Sequence, residues 1–420
     1  MDLYNIKTNR PYESIKLHIN VISDNLPEKP NVLYGYNNQL NLKRDCIDKI
    51  DSDVWKKIRW YINEYDFLVK DPIINRAFYK YWEIINKFNI FENFDDNYDI
   101  IFHGAEAPGG FIQGSNIYLQ LENNSIHVKE NTKITLIDSD GFTQVASKKK
   151  KNVKDYKIYT MSLNKDLAQY KSYNLPNYNK NIINKYVYVT YGKDNSGDIN
   201  NLDNIHYIKS IIDLKQERQK RPFGFYLITM DGGFDEGTDF NNKEQLHYLL
   251  ILNEILSTLM LQKQDGNCII KVFDIFTHTS IHLLYLLNLF YDEVYIYKPK
   301  TSRPTNSEKY VICKKFKRID NFDAIIVELQ ELSCFLKQQN KKYASFTLFD
   351  IIPDDFIDKI RHVNKEMLNL QSEFLSSAIK LCEDDTFIFK YDQELYVSLE
   401  RRREVYRQWE IIYNLDSFIP

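Results

Sequence analysis

The pattern of apolar and polar positions changes twice along the chain. Residues 1 to about 42 are polar and poorly periodic, with turn signals at Pro27, Pro30 and Gly35, and read as an extended arm. From about Asp45 to Val69 the residues Ile47, Ile50, Val54, Ile58, Tyr61 and Ile62 recur at helical spacing, which predicts a helix. A second helix is expected after Pro72, a residue suited to a first helical turn. Ile74, Ala77, Phe78, Trp82 and Ile85 make its apolar side.

Beyond Tyr98, short apolar runs alternate with longer helical patterns. Candidate strands are Tyr98–Phe102, Ile117–Leu121, Lys133–Ile137, Tyr186–Thr190, Gly224–Met230, Asn267–Phe273, Glu293–Tyr297 and Lys309–Cys313. The clearest helical stretches between them are Lys243–Leu261 and Thr279–Phe290. Alternation of this kind predicts a doubly wound α/β sheet, and the last two strands can close it as an antiparallel hairpin. Lys148–Lys151, with Lys154 and Lys157 nearby, lies in a long polar insertion at about 141–185 and reads as a solvated loop. From about Asp320 the pattern is helical again. The expected organisation is an N-terminal arm and helix at 1–70, an α/β domain at 71–318 and a helical C-terminal appendage at 319–420.

Composition narrows the function. A hydrophobic fraction of 43% is enough for a packed core. Tyrosine (31) is abundant, whereas glycine (13) and proline (11) are scarce. Asn, Lys and Ile are also frequent, and all the favoured residues have A/T-rich codons, so a lysine run counts for little by itself. With a net charge of −3, any nucleic acid must be held in a local basic cleft rather than by the whole surface. Cys46, Cys268, Cys313, Cys334 and Cys382 are scattered without a CxxC pair, which speaks against a zinc site or a disulfide framework and for a reducing compartment. Met1 is followed by acidic and polar residues, and no run is apolar enough to span a bilayer. A soluble, intracellular, cytoplasmic protein with no metal and no membrane partner is expected.

Two features carry candidate chemistry. Asp99-Ile-Ile-Phe-His-Gly-Ala-Glu-Ala-Pro-Gly-Gly-Phe111 reads as strand, glycine turn, then helix. Gly109 and Gly110 would let the backbone approach a ligand closely, and the turn lacks the Gly-Lys-Ser/Thr of a phosphate loop. Read alone, it is a structural turn or a site for a ligand with amino-acid and nucleoside ends. The second feature is a set of four charged residues. Asp231 and Lys271 end apolar strands, Glu308 lies in the last strand pair, and Lys80 sits on the helix after Pro72. Each alone is equally a solvated strand end; together they fall where one cleft collects them. Two ammonium groups and two carboxylates suit deprotonation of a hydroxyl. Lowering a lysine from ~10.4 to ~8 costs about 3 kcal/mol. One cation at ~4 Å and an effective dielectric near 20 supplies about that much. Lys80 is expected to exert this effect on Lys271 as the base, with Asp231 and Glu308 holding the lysines.

At these residues the chain resembles the FtsJ-like ribose 2′-O-methyltransferases, in their cap-methylating branch. The resemblance runs from Asp231-Gly-Gly-Phe through Ile270-Lys-Val-Phe-Asp274 to Lys298-Pro-Lys-Thr-Ser-Arg-Pro-Thr-Asn-Ser-Glu308-Lys-Tyr310. Upstream it includes Asn75-Arg76-Ala77 before Lys80, and Ala107-Pro-Gly-Gly-Phe111. Tyr191-Gly-Lys-Asp-Asn-Ser-Gly-Asp198-Ile199 is similar to the segment at the adenine end of the cofactor. The resemblance implies a Rossmann-like methyltransferase sheet using S-adenosyl-L-methionine. It also implies a Lys80-Asp231-Lys271-Glu308 tetrad and a cofactor site at Ala105, Glu106, Ala107, Pro108, Gly109, Gly110, Phe111, Asp198 and Ile199. The implied substrate is capped mRNA, methylated at the first transcribed nucleotide, with other capping or transcription proteins as partners. Arg303 is a candidate RNA-phosphate ligand or an ion-pair partner of a nearby carboxylate. The chain is most similar in style to members encoded by large cytoplasmic DNA viruses. It departs from the branch at His103, where an acidic residue is usual; Glu106 is expected to carry that negative charge, and His103 is given no role. Two alternatives remain: a methyltransferase for ribosomal or other structured RNA, and a non-catalytic RNA-binding or assembly subunit that keeps the fold.

Overall fold

The short apolar runs are strands of one sheet, with residues buried on both of its faces. The computed structural model describes residues 3–8, 15–22, 26–66, 72–95, 98–130, 156–219, 223–234, 239–384 and 386–415. In chain order the elements begin with β1 (Tyr4–Asn5), β2 (Asn20–Val21), α1 (Tyr34–Ile47), α2 (Ser52–Ile62), α3 (Arg76–Lys87), β3 (Ile100–Gly104), α4 (Gly110–Glu130), β4 (Lys157–Met161) and β5 (Val187–Thr190). Next come α5 (Leu202–Gln219), β6 (Phe225–Met230), α6 (Lys243–Leu246), α7 (Tyr248–Leu261), β7 (Gln262–Val272), α8 (His278–Phe290), β8 (Tyr291–Tyr297) and β9 (Lys309–Phe316). The chain then runs through α9 (Phe322–Gln339), β10 (Phe346–Thr347), α10 (Asp354–Cys382) and α11 (Phe387–Ile412).

The main sheet has the order β1-β8-β9-β7-β6-β3-β4-β5. Strands β3 to β7 run parallel to one another, β9 runs antiparallel between β7 and β8, and β1 pairs antiparallel with β8 at the edge. The chain builds outward from β3 to β5 and then returns to the other side of β3 at β6. That reversal makes the carboxyl ends of β3 and β6 the switch point, where an open α/β sheet leaves a crevice. Alternate strand residues feed two cores. Ile101, Leu227 and Ile269 pack with Phe78, Trp82, Phe111 and Trp409, whereas Phe102, Ile228 and Ile270 pack with Leu252, Leu256 and Leu284. Each such side chain contributes roughly 1.5–3 kcal/mol by leaving water.

Several sequence expectations are corrected. The stretch from Asp45 is two helices rather than one, because Asp51 accepts the amides of Asp53 (2.9 Å) and Val54 (3.2 Å) and starts α2 afresh. The first of them, α1, begins inside the expected arm, and the arm itself supplies β1 to the main sheet and β2 to a small ribbon with β10. The helix expected from Pro72 starts at Arg76, where Asn75 caps it by accepting the Ala77 amide at 3.1 Å. Ile117–Leu121 is not a strand: it lies within α4, as a short apolar run does not distinguish the two. Lys243–Leu261 is divided at His247 into α6 and α7. The segment read as a polar insertion contains β4, an interior strand between β3 and β5. Lys133–Ile137, Lys148–Lys151 and Lys154 lie outside the described residues.

Candidate active site

Three strands and one helix bring the four charged residues together. Asp231 follows β6, Lys271 is near the end of β7, and Glu308 immediately precedes β9. Lys271 pairs across the sheet with Tyr310, so the two side chains share a face, and the period of two puts Glu308 on that face as well. Lys80 arrives from α3 with its Nζ 2.5 Å from Glu308 Oε1. Lys271 Nζ donates to the Asp231 carbonyl at 2.7 Å and lies 3.4 Å from Asp231 Oδ1. The Tyr310 hydroxyl joins the two pairs: it lies 3.1 Å from Asp231 Oδ1 and 3.4 Å from Glu308 Oε1. Ser302 Oγ donates to the same Glu308 oxygen at 3.2 Å. All four charged side chains are 12–15% exposed, so they touch solvent but are largely withdrawn from it.

The electrostatics differ from the expectation for Lys271. Burial works against its charge, but Asp231, Glu308 and Glu254 outweigh burial, and its pKa is raised. Lys80 is paired with Glu308 rather than acting on Lys271 unopposed. Burial likewise opposes the Glu308 charge, yet Lys80 and Lys271 hold its pKa well below the usual carboxylate range. The lysines pulled downward are Lys298, to about 7, and Lys309, to about 8, both chiefly by burial. Both brace backbone. Lys298 donates to the Asn306 carbonyl (2.8 Å), Asn306 Oδ1 (2.7 Å) and the Glu308 carbonyl (2.9 Å), and Lys309 donates to the Phe273 carbonyl. Three acceptors use all three donors of the Lys298 ammonium, so it holds the Glu308 loop in place.

The loop after β3 divides into two sets. Ala105, Ala107 and Pro108 are half-buried; Glu106, Gly109, Gly110 and Phe111 are buried. The side-chain side of both glycines is filled by protein. Gly109 has φ +114°, and a Cβ there would meet Ile182 Cδ1 at 1.9 Å; at Gly110 it would meet Asn75 Oδ1 at 2.2 Å and the Phe78 nitrogen at 2.7 Å. Phe111 stacks on Tyr81 with centroids 4.7 Å apart. Glu106 accepts the Phe111 amide at 2.7 Å and so caps α4. Burial raises its pKa well above the carboxylate range. His103 is wholly buried, with Nδ1 2.6 Å from Thr229 Oγ1 and Nε2 3.0 Å from Ser115 Oγ. Burial holds it near a pKa of 3, neutral, in keeping with the absence of an assigned role. Ile199 is buried, and a Cβ on Gly104 would come 3.2 Å from its Cδ1. Asp198 is half-buried and accepts the Asn200 amide at 2.9 Å.

Further residues support the site and escaped the sequence reading. Glu254 on α7 accepts the Gly232 amide at 3.0 Å. His247, kept neutral by burial, accepts the Phe234 amide at 3.3 Å. Both brace the turn that carries Asp231. Glu83, one turn past Lys80, is buried and takes Lys300 N (2.8 Å), Thr301 N (3.4 Å), Thr301 Oγ1 (3.3 Å), Trp409 Nε1 (3.2 Å) and the Tyr297 hydroxyl. A carboxylate inside an apolar helical pattern was the signal available for Glu254 and Glu83. For Tyr310 it was the alternation with Glu308. Arg303 does find a carboxylate, Asp66 at 3.5 Å, but shares it with Arg76 (2.7 Å) and Arg59 (3.8 Å). Among the described residues three arginines thus share the Asp66 carboxylate, and Arg76 also feels Glu308 of the tetrad.

A mostly parallel sheet with β9 inserted antiparallel between β7 and β8 and β1 antiparallel at its edge, and polar chemistry at the carboxyl ends of the strands, defines a Rossmann-like methyltransferase fold. The chain carries an FtsJ-like methyltransferase domain: that family's profile matches residues 139–316. Lys80 and the loop at 105–111 lie before the matched span and join it through the geometry above. The chain is 31% identical over 179 residues to cap-specific mRNA (nucleoside-2'-O-)-methyltransferase 1A of Caenorhabditis briggsae, covering 42% of this chain and 20% of that protein. It is 31% identical over 178 residues to the inactive cap-specific mRNA (nucleoside-2'-O-)-methyltransferase 1B of the same organism, with the same shares, 42% and 20%. It is 26% identical over 362 residues to cap-specific mRNA (nucleoside-2'-O-)-methyltransferase 2 of Pongo abelii, covering 84% of this chain and 42% of that protein. The chain thus spans about a fifth of the nematode relatives and less than half of the orangutan one. Among the described residues no group of His, Cys, Asp and Glu is placed to hold a metal, and no helix is long and apolar enough to cross a membrane.

S-adenosylmethionine is the methyl donor of this family, and the residues fit it. The half-buried loop side chains Ala105 and Ala107 are small. Asp198 and Asp231 offer carboxylates to a cationic ligand. At Gly233 a Cβ would stand 3.3 Å from Lys271 Nζ and narrow the crevice.

Proposed function

We propose that this protein is an S-adenosylmethionine-dependent RNA 2′-O-ribose methyltransferase acting on the 5′ end of capped mRNA. The observation that carries the reading is the meeting of the Lys80–Glu308 and Lys271–Asp231 pairs, bridged by Tyr310, at the mouth of the switch-point crevice. S-adenosylmethionine supplies a methyl group already activated by its sulfonium. Lys271 takes the proton of the ribose 2′-hydroxyl as its oxygen forms the new bond to carbon. Asp231 holds Lys271, and Glu308 with Ser302 and Tyr310 holds Lys80 towards the same oxygen. In the resting protein the carboxylates bind the Lys271 proton firmly. When bound, the sulfonium would add a positive charge to the same crevice and oppose that hold. Ala105, Ala107, Pro108, Asp198 and Ile199 line or shape the cofactor crevice, and Glu106, Gly109, Gly110 and Phe111 fix the loop that carries them. Arg303, with Arg59 and Arg76, offers a cationic corner for an RNA phosphate.

The test is transfer of labelled methyl from S-adenosylmethionine to capped and uncapped transcripts, followed by nuclease mapping. A labelled 2′-O-methyl nucleotide next to the cap is expected. Equal use of uncapped RNA points instead to structured or ribosomal RNA. The relative named inactive keeps a non-catalytic RNA-binding subunit as the second reading. Binding of RNA with no methyl transfer at any pH decides for it.

A further inference from the structure

Lys271 has a third carboxylate neighbour besides Asp231 and Glu308. Glu254 projects from the middle of α7 and is entirely buried. One carboxyl oxygen, Oε1, accepts the Gly232 amide at 3.0 Å. The other, Oε2, is buried and has no hydrogen-bond partner among the described residues. Gly232 lies close against the carboxyl: a Cβ there would stand 2.1 Å from Glu254 Oε1, and the carboxyl would have to shift. A buried carboxyl with one empty oxygen is costly, since desolvation is not offset by a full set of bonds. The charged groups that bear on it are Lys271, from β7, and Asp231, from the end of β6. His247 braces the same turn but is neutral. The preceding residue of α7, Asn253, hydrogen-bonds to the neutral partners Ser333 of α9 and Asn200.

We propose that Glu254 is a positioning residue for Lys271: through one oxygen it fixes the turn carrying Asp231, and through its charge it sets how firmly Lys271 holds its proton. This rests on the reading of Lys271 as the base. Burial pushes the Glu254 carboxyl up to about 8, the Lys271 ammonium draws it down, and Glu254 in turn raises Lys271. Removing that charge while keeping the amide bond should loosen the Lys271 proton and leave the turn intact. Glutamine does this, because its side-chain oxygen still accepts the Gly232 amide. Alanine removes both functions.

The experiment is trace acetylation of the full chain with acetic anhydride across a pH series, read lysine by lysine by mass spectrometry. In Glu254→Gln the midpoint for Lys271 is expected to fall by about one pH unit, with Lys263 and Lys315 unmoved. The acid limb of the methyl-transfer rate should move in the same direction, with KM for S-adenosylmethionine unchanged. Glu254→Ala should also lower kcat, and Glu254→Gln should largely restore it. An unmoved Lys271 midpoint in a folded Glu254→Gln protein overturns the proposal. The labelling needs no turnover, so a wild-type protein without methyl transfer refutes the functional reading and leaves the Glu254 result standing.

Discussion

Lys80 Nζ rests 2.5 Å from Glu308 Oε1, so the lysine brought by α3 is already neutralised by the loop that enters β9. The pair ties α3 to the loop before β9, and it makes the acid response of the protein specific.

The Glu308 pKa is depressed in the folded state. A depressed carboxylate contributes stability that is full above its unfolded value, about 4.3, and is lost as pH falls through the lower folded value. Wild-type Tm is therefore expected to drop as pH falls below about 4. Glu308→Gln, which leaves Lys80 buried without its counter-charge, should cost about 3 kcal/mol at pH 7 and lose much less stability over that acid range. Thermal melts from pH 7 to 2 measure both. Parallel curves for the two proteins would refute the assignment.

Lys271→Met removes the proposed base from a site that keeps Asp231 and Tyr310. Methyl transfer should fall by a factor of about 10² to 10⁴, with S-adenosylhomocysteine affinity within a few fold of wild type. Single-turnover rates beside calorimetric titration separate the two effects. A variant that turns over at more than a tenth of the wild-type rate would exclude Lys271 as the base.

Glu106 behaves in the opposite sense from Glu308. Its folded pKa is raised, so its charge costs stability as pH climbs from the unfolded value towards the folded one. Glu106→Gln keeps an acceptor for the Phe111 amide. It should match wild type at pH 4 and gain on it steadily between pH 5 and 8. Glu106→Ala should lose about 1–2 kcal/mol through the broken cap. Differential melts across that pH range give the sign directly.

Gly109 cannot carry a side chain without moving Ile182, and its φ of +114° is foreign to other residues. Gly109→Ala should destabilise by about 2 kcal/mol or more and weaken cofactor binding through the displaced loop. An Ile182→Ala change in the same chain should recover part of the binding but not the backbone strain. Unchanged melting in Gly109→Ala would contradict the packing described.

Arg303, at the most exposed edge of the cationic corner, should contribute about one phosphate contact. The slope of log affinity for capped single-stranded RNA against log salt should flatten by about 0.7 in Arg303→Ala. Titrations at several salt concentrations test this, and an identical slope would leave the arginine as a partner of Asp66 alone.

Much of this arrangement is legible in the sequence, because it follows local rules. The apolar runs before Asp231 and around Lys271 are central strands and read as such. Glu308 and Tyr310 alternate in a way that only a strand explains. What escaped notice depends on tertiary contact. The β4 strand was masked by lysines around a short run, and the Asp51 cap that splits α1 from α2 lies within a pattern that continues past it. Gly109 and Gly110 looked like room for a ligand; the space belongs to Ile182 and to the start of α3. The direction of the Lys271 shift could not be foreseen either, since it is the balance of three carboxylates from three distant segments against burial.

The Glu83 carboxylate receives the indole of Trp409 and the amides of Lys300 and Thr301 together. The final helix is thereby fastened to α3, the helix that carries Lys80. A trimmed or proteolysed tail would reach the chemistry from far along the chain, so a preparation that has lost its end can keep its sheet and still be silent.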